Sequence, residues 1–331
     1  MQSIGDMAQL FLARRNTSQI KTEMTALTQE LSTGQVRDLA RHLGNDTSRL
    51  MSVDRSLMLL DAYDVATSET DQMLGAMQSG LTYIDDQRSS LGERLILLTN
   101  SGDTSDLDAA ATEAKTTFEN IVQSLNTRFA NRSLFAGAAT EGNALAAAED
   151  ILADFQASLA GLTDVDEILA AADTWFNDPT GGYATQSYLG DSGSQMTRRI
   201  DADHSIAITA RADGSEFRQV LKAAALAAVA PTLGLSDSDA EAIMIHGGEV
   251  LVDASQDIAT LAGQLGTAQE QVQDVVASHA AQRTSLTVLR SDLVTADSYD
   301  TATALQQIQT QLELHFTLTA RLSALSLAEY L

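Results

Sequence analysis

The chain has 331 residues, a formal net charge of −25, 44% hydrophobic content and only 5% aromatic residues. That hydrophobic content is enough for buried cores in two or three domains, while the charge argues against nucleic-acid or anionic-membrane partners, which need a basic patch. With no cysteine, disulfide frameworks, thiolate metal sites and cysteine nucleophiles are excluded.

The first twenty residues place Ile4, Met7, Leu10, Phe11 and Leu12 among Gly5, Asp6 and Gln9. This is an amphipathic pattern rather than the continuous apolar core of a cleavable signal, and no run approaches the ~18 apolar residues of a membrane span. The expectation is a chain that is cytosolic or exported by a route that reads no cleavable signal. Ile20, Met24, Leu27 and Leu31 follow at alternating steps of four and three. They predict one helix over 3–33 stopped by Gly34. A turn at Gly44-Asn45-Asp46 precedes a second long helix from about Thr47. Its seam runs through Leu50, Val53, Leu57 and Leu60, then Met73, Met77, Leu81, Ile84, Leu91, Leu95 and Leu98. Asn100 to Asp103 is a turn, with Asp106 as the expected cap of a third helix carrying Leu107, Ala111, Ala114, Phe118, Ile121, Leu125 and Phe129 on one face.

The pattern changes after Gly137. Short helices are expected over 146–160 and 164–176, a turn over 177–182, strands over 183–189, 195–201 and 205–210, and a helix over 216–230 ending at Pro231. From Ala240 the helical pattern returns to about Asp292, with a break expected at Gly247-Gly248. Its seam is Ile258, Leu261, Leu265, Ala268, Val272 and Val275, then Leu286, Leu289 and Leu293. His279 and Gln282 fall in that seam, where polar residues can fix register or partner choice, although a small or wet neighbour is the simpler accommodation. Asp297-Ser298 caps a last helix with Leu305, Ile308, Leu312, Phe316, Leu322 and Leu325.

Chemical motifs are sparse. The five histidines are dispersed, and the chain has no H-E-x-x-H, EF-hand, dinucleotide or phosphate-binding loop. Gly190-Asp191-Ser192-Gly193 matches a serine-protease nucleophile segment, but a mainly helical chain lacks the scaffold for it. It reads as a turn. No enzyme activity, cofactor or metal is expected.

A repeat of apolar residues every 3.5 positions leaves a seam suited to another helix. The expected fold is therefore mainly α. The N- and C-terminal parts form a long antiparallel helical bundle or coiled coil, and a small mixed α+β insert lies in the middle. Three parts are expected: a terminal coiled-coil segment (1–45 and 296–331), a bundle (46–137 and 240–295) and an outward-facing insert (138–239) whose removal the rest should tolerate. The inner seams can close within one chain. The terminal segments form at most a two-stranded coil, marginal alone, and are expected to order when subunits pack together. Candidate assembly residues are Ile4, Met7, Leu10, Phe11, Ile20, Met24, Leu27, Leu31, Leu305, Ile308, Leu312, Phe316, Leu322 and Leu325.

Several short segments carry a family likeness. Leu31-Ser32-Thr33-Gly34, Asn131-Arg132-Ser133-Leu134-Phe135-Ala136-Gly137, and Ala296-Asp297 followed by Ala304-Leu305-Gln306-Gln307-Ile308-Gln309 resemble the bacterial flagellin family in order and placement. The ending from Thr319 to Leu331 is similar to that of its hook-associated members rather than of its filament subunits. The stretch after Gly34 also lacks the basic, small-residue run of filament flagellins. The resemblance implies a structural subunit of the bacterial flagellum at the hook–filament junction, exported through the flagellar type III apparatus to an extracellular position. It also implies self-association in a tubular layer, neighbouring hook-associated protein and flagellin as partners, and a cytosolic export chaperone on the C-terminal helix. Filament flagellin is the second reading and a cytosolic coiled-coil scaffold the third.

Overall fold

A computed structural model describes residues 3–44, 46–98 and 104–328, and the side chains of these residues other than 3–6, 9, 10 and 322–328. The described chain is mainly α-helical. Its elements are α1 (Ser3–Thr33), the short α2 (Leu39–His42), α3 (Ser48–Ile96), α4 (Thr104–Leu125), β1 (Arg128–Phe129), β2 (Arg132–Ser133), α5 (Ala148–Ser158), α6 (Val165–Asn177), a π-helical turn (Tyr183–Ser187), β3 (Met196–Arg199), β4 (Ser205–Ile208), α7 (Ser215–Val229), a 3₁₀ turn (Ala230–Leu233), α8 (Asp237–Asp253), α9 (Ser255–Val294) and α10 (Ser298–Ala328). They divide into two compact units, 1–61 with 280–331 and 62–279, and α3 and α9 contribute residues to both.

Local chemistry sets the helix ends. Gly34, at φ +69°, takes the left-handed conformation that closes α1. The Asp46 carboxylate accepts from the Ser48 amide at the start of α3. Asp297 accepts from the amides of Tyr299 and Asp300 at the start of α10, satisfying donors that have no partner within the helix. Asp106 lies inside the first turn of α4 rather than at its cap, where its charge still favours the helix N-terminus. The expected turn at Asn100 to Asp103 lies outside the described residues.

In the first unit, α1 and α10 pack together. The opening of α3 runs beside the end of α9, tied by Arg283 to Asp61 and Arg290 to Asp54. Leu50, Val53, Leu60 and Val294 are buried there.

The second unit has one continuous apolar core. Met73, Leu74, Met77, Leu81, Ile84, Leu91 and Leu95 of α3 share it with Phe118 and Ile121 of α4 and the α9 seam from Ile258 to Val275. Residues 138–239 do not stand apart from that core, as a separable insert would. Helix α7 lies against both α4 and α8, and its Val220, Leu221, Ala224 and Ala225 are fully covered. The alanine run on α7 keeps that face narrow enough for two neighbours. Phe155, Trp175, Phe176 and Tyr183 add an aromatic cluster with ring centroids 4.7–6.4 Å apart.

Two local expectations give way to packing. Where a strand is expected over 183–189, Tyr183–Ser187 form a π-helical turn. Tyr183 turns inward, donates its hydroxyl to Ala212 O at 2.6 Å and is held protonated by burial, which raises its pKa. Only Tyr188 bridges Leu145 as a strand residue would. Nor does the helix break at Gly247-Gly248. These glycines sit inside α8, where a Cβ on Gly248 would lie 3.0 Å from Leu95 Cβ and 3.2 Å from Gly92 O. Gly248 serves the close crossing of α8 and α3, and Gly247 the close approach of Ala223 O on α7, 3.2 Å from where its Cβ would lie. The break falls at Ala254, beside Leu251 O, which accepts from the buried Arg88 guanidinium at 2.6 Å.

Gly-to-Ala substitutions should therefore split in sign. Gly248→Ala overpacks the crossing and should cost about 1–3 kcal/mol. Gly263→Ala, with open space around the new methyl, should gain about 1 kcal/mol from helix propensity. Urea denaturation of both variants measures the difference. Deleting 140–232 should abolish the cooperative transition of the second unit, because it strips the cover from α4.

Candidate assembly interface

The described residues that carry the terminal unit are few, and their geometry is simple. At the base of the α1–α10 pair, Val36 N donates to Val294 O and Ala296 N to Gly34 O, both at 2.9 Å, with Gln35 paired antiparallel to Thr295. Two short backbone bonds thus bring the end of α1 beside the start of α10 and make the helices antiparallel. Glu30 reinforces this corner by accepting from the Arg37 amide at 2.8 Å.

From that corner the seam proceeds at heptad spacing on both helices. On α10, Thr301 is buried, and Leu305, Ile308, Leu312, His315 and Thr319 are half-buried. On α1 the matching positions are Leu27, Met24, Ile20, Thr17 and Ala13, and of these Ile20 alone is fully buried. Farther along, the seam turns polar, with Thr17 Oγ1 3.5 Å from His315 Nδ1.

The candidate assembly residues fall into two sets. Ile20, Met24, Leu27, Leu305, Ile308 and Leu312 face the seam and are covered, wholly or in part, within the chain. Met7 (72% exposed), Phe11 (68%), Leu31 (43%) and Phe316 (50%) are open to solvent. The side chains of Ile4, Leu10, Leu322 and Leu325 lie outside those described. The structure adds Leu12, Leu314 and Leu318, each more than half exposed. They were legible in the sequence as apolar positions out of phase with the heptad, a signal that following a single seam passes over.

Two concavities flank the pair. One of about 1480 Å³ opens between α1 and the segment 36–42, and includes Phe11, Arg14, Arg15, Leu27, Val36 and Arg41 in its lining. The other, of about 500 Å³, lies between α1 and α10 beside Phe316, Thr17 and Lys21. Two helices alone cannot enclose their own sides.

Charge is partitioned as well. The first unit has ten Lys and Arg against twelve Asp and Glu, whereas the second has ten against thirty-three. Nearly all of the net negative charge belongs to the second unit, so the terminal unit can approach copies of itself with little net repulsion.

Residues 249–331 match the family model of the bacterial flagellin C-terminal helical region. The match takes in the end of α8 and all of α9 and α10. The fold is similar to that of a solved Vibrio parahaemolyticus protein described as flagellar hook-associated. The TM-score is 0.54 at 12% identity, over 74% of this chain and 96% of that one, which is a likeness of fold. None of the curated proteins matches in sequence. Among the described residues no helix is long and apolar enough to cross a membrane. The Gly190–Gly193 segment is a turn, in which the Asp191 carboxylate accepts from Gly193 N and Ser194 N.

The seam assigns Ile20 a decisive place in the terminal pair. Ile20→Ala should remove about 2–5 kcal/mol of packing from a contact that has little in reserve. Amide exchange across α1 and α10 should accelerate, while the denaturation of residues 62–279 stays unchanged.

Proposed function

We propose that the chain is an exported structural subunit of the bacterial flagellum, placed where the hook joins the filament, in the manner of hook-associated protein type 3. The carrying observation is that the two terminal helices pair with each other yet leave Met7, Phe11, Leu12, Leu314, Phe316 and Leu318 uncovered. Exposed apolar groups of this size on both members of a thin helical pair are a surface for further helices. The flagellin C-terminal match over α9 and α10 and the hook-associated structural relative support the flagellar reading. The likeness of the ending from Thr319 to Leu331 favours the junction.

On this reading copies of α1 and α10 pack side by side in a tubular layer. Neighbouring hook-associated protein and flagellin bound the layer, a cytosolic chaperone covers the C-terminal helix before type III export, and the chain comes to rest outside the cell. The role is mechanical. Filament flagellin is the second reading, favoured by the family model itself.

The two readings part on assembly. Purified subunit added to hook ends should stop after a short layer that then accepts flagellin, and long tubes of this chain alone would overturn the junction reading. Phe11→Asp and Phe316→Asp place a charge in the dry contact at positions exposed in the free chain. Each should leave the monomer's circular dichroism unchanged and abolish the layer. Filaments that attach normally with either variant would sink the terminal-pair model.

A further inference from the structure

The α9 seam reaches His279 after Val272 and Val275, at a position where an apolar residue would be expected. The ring is buried, at 3% exposure, and stacks on Tyr63 of α3 with centroids 5.8 Å apart and planes at 23°. Its Nδ1 lies 3.6 Å from Asp64 Oδ1 on α3, and its Nε2 lies 3.6 Å from Asp201 Oδ2. Asp201 belongs to the turn between β3 and β4. Its other oxygen accepts from the amides of Asp203 and His204, and Oδ2 is 2.7 Å from the exposed ring of His204. Burial opposes the charge on Asp201, but these hydrogen bonds outweigh it and hold the carboxyl below its ordinary value.

The arrangement is incomplete for a neutral imidazole. Two carboxylates face the two ring nitrogens, and a neutral ring has one N–H to give. Nδ1 is buried and makes no hydrogen bond. Thr67 and Thr70, buried on the same stretch of α3, spend their hydroxyls on their own helix at Tyr63 O and Ala66 O. The remaining neighbouring charges are committed. Arg198 of β3 pairs with Glu69, Arg199 donates to Asp201 O and Ala202 O, and Arg283, one turn along α9, pairs with Asp61. Among the described residues no group of three or more His, Cys, Asp or Glu is arranged to hold a metal ion.

We propose that His279 is a proton-operated clasp that fastens the β3–β4 hairpin onto α3 and α9. Uptake of one proton gives the ring a second N–H, and the imidazolium then donates to Asp64 on α3 and to Asp201 in the hairpin turn at once. Charge-assisted bonds are shorter than neutral ones, so both 3.6 Å approaches close. Imidazole is the side chain that changes charge between pH 5 and 8. A contact made by the protonated form is present at the acid end of that range and is lost as pH rises, so the hairpin is fastened in acid and released in mild alkali. The clasp goes beyond the flagellar reading and stands whatever the chain assembles into.

The test is hydrogen exchange of the hairpin amides, 196–208, in the full-length protein, expressed as protection factors so that the intrinsic pH dependence divides out. Between pH 8 and pH 5 protection should rise roughly tenfold, the lower end of what a hydrogen bond to a charged group contributes. His279→Gln should be flat with pH, whereas His204→Asn, which removes the other imidazole on Asp201, should keep the rise. A wild type that is flat or loosens in acid, or a His279→Gln variant that retains the rise, overturns the proposal. If His279→Gln does not fold, ring ¹⁵N resonances of the wild type decide. Both nitrogens of His279 should carry protons at pH 5, and a ring still neutral there ends the idea.

Discussion

A helix whose apolar residues recur every 3.5 positions has a stripe one helix wide, and the layout of this chain follows from the need to cover such stripes. Within the second unit, α3 and α9 meet along the stripe that runs from Ile258 to Val275 on α9. A two-helix contact leaves the flanks of both open. On α3 the flank meets α4, where Ser124 donates to Gly80 O and Asn120 to Gln87, and α4 is closed in turn by α7 and α8. The mixed middle of the sequence is therefore core material. It supplies the small-residue face of α7 that a crowded helix crossing requires.

In the terminal unit the same constraint is only half met. The corner made by Gly34, Val36, Val294 and Ala296 fixes α1 and α10 as antiparallel neighbours, and nothing else among the described residues closes their outer faces. Ile20 reaches burial, while the flanking seam residues reach half. A two-stranded contact of this kind holds its register but encloses little apolar area, which is why phenylalanines and leucines stay in water on both helices. The near balance of charge in this unit, set beside the acidic second unit, fits a surface that meets its own kind.

The polar interruption at Thr67, Thr70 and His279 shows how a seam tolerates groups it would otherwise exclude. The threonines return their hydroxyls to carbonyls one turn back, so they add no unmet demand. His279 finds carboxylates rather than water or a small neighbour. Both lie on elements remote in sequence, so neither spacing nor periodicity announces them.

Long-range periodicity is legible because a helix imposes it on each residue independently of its partner. The stop at Gly34, the start of α3 near Thr47, the cap at Asp297 and the seam from Ile258 to Val275 are all present in the order of residues alone. What the sequence does not contain is which surface covers which. Gly247-Gly248 reads as a break until α7 and α3 are brought against it, and then the missing Cβ atoms are what let both approach α8. Tyr183 to Leu189 reads as a strand until the aromatic cluster draws Tyr183 inward. Phe11 and Phe316 read as apolar helix positions, and only the pairing of α1 with α10 shows that they stay exposed. The sequence by itself determined the long helices, the ends set by Gly34 and Asp297, and the chain's mainly α character, since these depend on local bonding and spacing. Only the tertiary structure decided which apolar faces are spent within the molecule and which remain open, because burial belongs to a pair of surfaces and is not a property of either one alone.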